Sequence, residues 1–198
     1  MCFQNKHNQD WTVHPSPIVK FIHQNKKTMK KITLVLACLL FAGHIFAQEQ
    51  TNNGNARFPS VDLKTLDGQT FSTKQFFDGE KPVIVSLWAT WCAPCCKELA
   101  AIDLVYEDWV EEFGVTLYAV SIDDSRSASK VAPYVRSKGW EYVVLQDINS
   151  DLKRALNVVD VPFLCIVNGQ GDIIWSHTSY ASGGEQEVYE VLKELMSK

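Results

Sequence analysis

Residues 83–98 read VIVSLWATWCAPCCKE. The first six, Val83–Trp88, follow Pro82 as a nearly continuous apolar run, the pattern of a strand buried on both faces of a sheet. A helix opening near Cys95 then places Cys92 at its N-terminus, where unpaired N–H groups and the macrodipole favour an anion. A thiolate is such an anion. Its pKa is expected to fall below the free-cysteine value of about 8.5, which makes Cys92 the nucleophile, and Cys95 one turn on is near enough to close a disulfide. Pro94 suits a first helical turn, where its missing N–H would have no partner. Trp91 supplies apolar surface beside an exposed thiol, fit for docking a peptide. With Cys96 adjacent, a redox centre, a metal site and buried sulfur are all open readings.

Downstream the period changes. Leu99, Ile102, Tyr106, Trp109 and Phe113 recur at steps of three and four, which predicts one helix from Cys95 to Phe113, stopped by Gly114. Val115–Ile122 reads as a second buried strand, and Asp123-Asp124-Ser125 as the start of a helix with Ala128, Val131, Ala132 and Val135 inward, ended by Gly139. Strands follow at Tyr142–Leu145, Phe163–Val167 and Asp172–Ser176, with a short helix near Asp151–Leu156 and a turn at 168–171. Gly183-Gly184 opens a last helix with Val188, Val191, Leu192 and Leu195 inward. Upstream, Val61 and Leu63 alternate with polar neighbours, and Asp67-Gly68 turns the chain into a return strand at Thr70-Phe71. Strands alternating with helices and closing on a hairpin predict an α/β fold with a mixed central sheet flanked by helices and an N-terminal hairpin extension.

The N-terminal quarter has another character. Residues 1–47 hold six of the nineteen Lys and Arg but one of the twenty-three acids, so residues 48–198 carry thirteen basic and twenty-two acidic groups, a net charge of −9 with His neutral. That balance argues against nucleic acid as a partner. Met29-Lys30-Lys31, the apolar run Ile32–Ala42 and the stretch to Ala47 read as a secretory signal peptide cleaved after Ala47, with Met29 a candidate start. Ile32–Ala47 spans sixteen residues, short of the roughly 20 needed to cross a bilayer as an uncleaved anchor. A lipidated Cys38 is disfavoured because apolar residues continue past it. The expected organisation is a leader over 1–47, a polar linker over 48–57 and a folded domain over 58–198. Cleavage leaves Cys92, Cys95, Cys96, Cys165 and a single histidine, His177. In an oxidising compartment cysteines serve as structural disulfides or redox centres, and two cysteines three apart close too small a loop to staple a fold.

The sequence Trp88-Ala89-Thr90-Trp91-Cys92-Ala93-Pro94-Cys95, with Glu98 after it and Val161-Pro162 far downstream, resembles the thioredoxin superfamily. Within it, the chain is similar to exported TlpA- and ResA-like thiol-disulfide oxidoreductases. The resemblance implies a thioredoxin fold, a Cys92–Cys95 redox pair needing no cofactor, and a cis peptide before Pro162 that faces the cysteines and binds substrate backbone, with Trp91 and Val161 beside it. It also implies disulfide-containing protein substrates, a membrane-bound thiol donor of electrons, a periplasmic or envelope location, and reductive work such as cytochrome c maturation.

Two departures stand out. Thioredoxin carries a buried Asp six residues before the first cysteine, and this chain has Ser86 there. The relatives offer Glu98 as the alternative proton acceptor, one turn after Cys95, although a Glu in a first helical turn is equally explained by the helix dipole. Cys96 replaces a residue that is basic in many relatives. The helix turns about 100° per residue, so Cys96 is expected to point away from Cys95 into packing or partial exposure. Cys165, mid-strand among Phe163, Leu164, Ile166 and Val167, reads as a core thiol. The rival from another class is a copper chaperone using Cys92, Cys96 and His177, soft sulfur and imidazole being suited to copper. A Cys₄ zinc or iron–sulfur site lacks a second CxxC. A peroxidase of the peroxiredoxin kind would place its cysteine in a Pro-x-x-x-Thr-x-x-Cys setting, which no cysteine here has.

Overall fold

The computed structural model describes residues 56–197, so the expected leader and most of the linker lie outside the described residues. Seven strands form one mixed sheet: β1 (Asp62–Thr65), β2 (Thr70–Ser72), β3 (Val83–Trp88), β4 (Thr116–Ser121), β5 (Val143–Gln146), β6 (Phe163–Val167) and β7 (Ile173–Thr178). Their order is β2-β1-β5-β4-β3-β6-β7, with β3, β4 and β5 parallel to one another and every other pairing antiparallel. The α/β thioredoxin-like fold expected from the sequence is the one observed.

Every residue of β3 and of β6 is buried. Both faces of these central strands are therefore covered, which is why their sequences are apolar without alternation. The N-terminal hairpin extends the sheet because β1 pairs with β5, and Gly68 at φ +86° makes its turn. It is fastened by ring packing: Phe76 stacks on Tyr118 of β4 with centroids 3.9 Å apart, and Phe71 meets both rings. Burying an aromatic of this size contributes about 2 kcal/mol.

The helix predicted over Cys95–Phe113 is two helices, α1 (Ala93–Asp103) and α2 (Tyr106–Phe113). Val105 leaves the helical region at φ −123°, ψ 0°, and Leu104 is 85% exposed. Leu99 and Ile102 of α1 and Trp109 and Phe113 of α2 are all buried. Gly114, at φ +64°, ends α2 as expected.

The next helix also begins later than the sequence indicates. Ala128–Lys130 form a 3₁₀ turn and α3 runs from Val131 to Lys138, with Val131 and Val135 buried. Pro133 lacks an N–H and crowds the carbonyl four residues back, so the regular ladder cannot extend further upstream. Helices α4 (Asp151–Ala155) and α5 (Gly184–Met196) complete the fold, and α5 packs on α1 and α2.

Candidate active site

Strand β3 runs out at Trp88, three residues cross the sheet's end, and Cys92 becomes the N-cap of α1 with Pro94 in the first turn. The Cys92 backbone N–H donates to Ala89 O at 3.0 Å, making that loop a tight turn. Cys92 and Cys95 form a disulfide, and the Cys95 backbone N–H donates to Cys92 Sγ at 3.3 Å. The same N–H is placed to stabilise a Cys92 thiolate once the disulfide opens.

The thiol read as exposed is not. Cys92 is 5% exposed and Cys95 fully buried, while Trp91 stands out at 64%. The cover comes from the segment entering β6: the Val161–Pro162 peptide is cis, and Val161 O lies 3.8 Å from Cys92 Sγ. Approach to the sulfur therefore passes between Trp91 and this segment, where Val159 is also exposed. Beside Trp91 an open groove of about 500 Å³ runs along Ile122, Asp124, Arg126, Ser127 and Lys130. A larger groove of about 740 Å³, between Arg57, Lys74, Phe77 and Gly169, lies at the other end of the sheet, where β3 begins and β6 ends, away from the sulfurs.

Asp123, expected at a helix start, is instead fully buried behind the loop. Its carboxylate accepts from the Thr90 N–H at 2.8 Å, the Thr90 hydroxyl at 2.7 Å and the Ser121 hydroxyl at 2.8 Å. Thr90 precedes Cys92 by two residues, so this acid holds the loop that presents the cysteine. Its only sequence signal was an acidic residue directly after a buried strand, which reads equally well as a helix cap.

Glu98 is 2% exposed, on the buried side of α1 and one turn after Cys95. Its Oε1 is hydrogen-bonded to Nε2 of His177 at 2.7 Å, and its Oε2 is buried with no hydrogen-bond partner. His177 thus belongs to Glu98, which corrects its place in a copper set with Cys92 and Cys96. Cys96 turns away as expected, half-buried, with Sγ 3.7 Å from Ala89 O. The phenol of Tyr134 beside it is pushed up to about 12, first by burial and then by its hydrogen bond with Cys96. Among the described residues, no group of three or more His, Cys, Asp or Glu side chains is arranged to hold a metal ion. Cys165 is fully buried, and burial alone pushes its thiol up, out of reach of redox chemistry.

Both the sequence and the fold of this chain are similar to those of known proteins. A profile of the AhpC/TSA family matches residues 55–176. The chain belongs to the AhpC/TSA family. It is 24% identical over 156 residues to the thiol-disulfide oxidoreductase ResA of Bacillus thuringiensis subsp. konkukian, covering 76% of this chain and 87% of that one. It is 29% identical over 143 residues to the thiol:disulfide interchange protein DsbE of Haemophilus influenzae, covering 71% and 73% of the two chains. Among solved structures, a thioredoxin-like protein from Porphyromonas gingivalis is 48% identical, with a TM-score of 0.63 over 72% of this chain and 94% of that one. A thioredoxin-family thiol:disulfide interchange protein from Chlorobium tepidum TLS, 24% identical with a TM-score of 0.57, shares the fold. The cysteine pair gives this AhpC/TSA-family enzyme the chemistry for which ResA and DsbE are named, thiol–disulfide oxidoreduction.

Proposed function

We propose that this thiol–disulfide oxidoreductase is exported to the cell envelope and there reduces disulfides of other proteins, including those exposed during cytochrome c maturation. The supporting observation is the placement of Cys92: it caps α1, receives the Cys95 N–H, and lies against the Val161–Pro162 peptide beside the exposed Trp91. In the reduced protein Cys92 attacks a substrate disulfide as a thiolate, and Cys95 then displaces the substrate from Cys92. Glu98 accepts the Cys95 proton. Trp91, Val161 and Pro162 hold the substrate segment across the sulfur, and a membrane-bound dithiol returns the enzyme to its reduced form.

The reductive direction follows from how modestly the thiolate is stabilised. A strong oxidant needs an unusually stable thiolate at the first cysteine. Here the helix terminus contributes, but Cys96 stands where many relatives have a basic side chain, and the buried acid Glu98 lies one turn beyond Cys95. The test is reduction of a disulfide-bonded protein by the full chain in the presence of a dithiol. Cys92→Ser is expected to abolish turnover, and Cys95→Ser to accumulate a mixed disulfide with substrate. Retained turnover in Cys92→Ser would refute the assignment.

A further inference from the structure

Strand register places Ser86 of β3 opposite Leu164 of β6, and Leu164 opposite His177 of β7. Residues paired directly across neighbouring strands share a face, so Ser86, Leu164 and His177 form one row on one side of the sheet. Ser86 stands where thioredoxin keeps its buried acid, and its hydroxyl is buried without a partner. The titratable group of the row lies two strands further along, at His177. Glu98 reaches that group from α1, across 79 residues of sequence, with its second oxygen left free.

A buried carboxylate that must take up and release a proton needs a route to water, and Glu98 at 2% exposure has none of its own. His177 has one, its side chain being 17% exposed. We infer that His177 is the proton outlet of Glu98: it orients the carboxylate through the Nε2–Oε1 hydrogen bond and carries to solvent the proton that Glu98 receives from Cys95. This rests on the reading of Glu98 as the Cys95 proton acceptor.

The step balances as follows. The Cys92 thiolate attacks the substrate disulfide and one substrate thiolate leaves. The Cys95 S–H bond then breaks, its electron pair forms the Cys95–Cys92 bond, and the second substrate thiolate leaves, so two electrons pass to the substrate. The Cys95 proton goes to Glu98, passes across the hydrogen bond to an Nε2 left unprotonated in the Nδ1–H tautomer of His177, and the ring releases a proton from Nδ1 to water or to the leaving thiolate.

Among the described residues, few other titratable groups bear on this pair. From α1 and its N-cap come Cys95 and Cys92; from β7 comes the Trp175 ring, edge-on to His177 at 4.9 Å; β6 presents Leu164 on this side of the sheet, with Cys165 on the other. After β7 comes Tyr180, close enough to feel the charge of Glu98, and its hydroxyl donates to Glu185 of α5 at 3.3 Å. Neither Tyr180 nor Glu185 is hydrogen-bonded to the imidazole, which leaves the ring as the group through which Glu98 reaches solvent.

The experiment isolates the Cys95 step. Reduced full-length protein carrying Cys96→Ala is mixed with an aromatic disulfide whose thiolate is coloured. The first thiolate release reports attack by Cys92, and the second reports displacement by Cys95. In His177→Gln, which keeps a hydrogen-bonding side chain for Glu98 but cannot carry a proton, the first release is expected unchanged. The second should slow by about tenfold at neutral pH, a fraction of the 10²-fold or more typical of general acid–base catalysis, with an altered pH profile. In His177→Ala, added imidazole should restore the second release in proportion to its concentration. The imidazole ¹⁵N signals of His177 should also differ between dithiol and disulfide forms, and that difference should vanish in Glu98→Gln. A second release in His177→Gln equal to the parent's across pH would overturn the inference and leave thiol–disulfide exchange standing. Absence of any second release in the parent would overturn both.

Discussion

The backbone N–H and the hydroxyl of Thr90 both end on the carboxylate of Asp123, at 2.8 and 2.7 Å, tying the loop before Cys92 to the residue two beyond β4. Ser121 adds a third donor, and the carboxylate is fully buried. Removing the acid strands three donors at once in a dry site. Asp123→Ala is therefore expected to cost roughly 3 kcal/mol or more, while Asp123→Asn, which retains one acceptor oxygen, should cost less. Urea unfolding curves at constant slope measure both.

The same clasp should appear in kinetics. Thr90→Val removes the hydroxyl bond but leaves the backbone one, and is expected to slow attack by Cys92 through a looser loop while displacement by Cys95 is little affected. Rates of the two steps, measured separately on an aromatic disulfide, test this. Equal slowing of both would show that the loop acts on the whole helix rather than on Cys92.

Cys165 lies at 0% exposure with its thiol pushed up by burial, and Cys92 lies at a helix N-terminus. In native reduced protein, brief alkylation should label Cys92 first, Cys96 more slowly, and Cys165 only after unfolding. Mass spectrometry of the cysteine peptides gives the order. Labelling of Cys165 in the folded protein would contradict its burial.

Tyr134 is held as a neutral phenol, its value pushed up to about 12 by burial and by Cys96. The folded value exceeds the ordinary tyrosine value of about 10, so its contribution to stability is whole below that pH and is lost as pH rises through about 12. Stability should fall over this alkaline window, and fall less in Tyr134→Phe, which has nothing to ionise. Denaturant midpoints across the window decide it.

Gly169 offers a test confined to the other end of the sheet. A Cβ there would sit 2.5 Å from the Glu80 nitrogen and 2.7 Å from the Gly79 carbonyl carbon, and backbone cannot yield cheaply. Gly169→Ala is expected to destabilise by about 2 kcal/mol while disulfide reduction by folded protein is unchanged. A thermal melt and a turnover assay on the same sample measure the two effects.

What was legible in the sequence was whatever burial imposes locally. Val83–Trp88 and Phe163–Val167 coincide with β3 and β6 because strands covered on both faces are apolar throughout, and Gly114 and Gly139 mark helix ends because each adopts the left-handed region. The break at Leu104–Val105 is not legible because a stripe stepping by three and four is the same for one helix or two; its one sign is the outward Leu104. Asp123 fits a helix start in the sequence because caps and buried clasps use the same residue type. The Glu98–His177 pair joins a helix to a strand two positions across the sheet from β3, and no local pattern encodes such a meeting. The cover over Cys92 is not legible in the local sequence because the covering segment, Val161–Pro162, lies far along the chain.

The most direct test of the reductive assignment is the reduction potential of the Cys92–Cys95 pair. It can be read by equilibrating the protein in dithiol and glutathione redox buffers and counting alkylated thiols. A thiolate stabilised by the helix terminus and the Cys95 N–H, without a basic neighbour at Cys96, predicts a value nearer the roughly −270 mV of thioredoxin than the roughly −120 mV of a strong periplasmic oxidant. A potential above about −150 mV would contradict the reductase account.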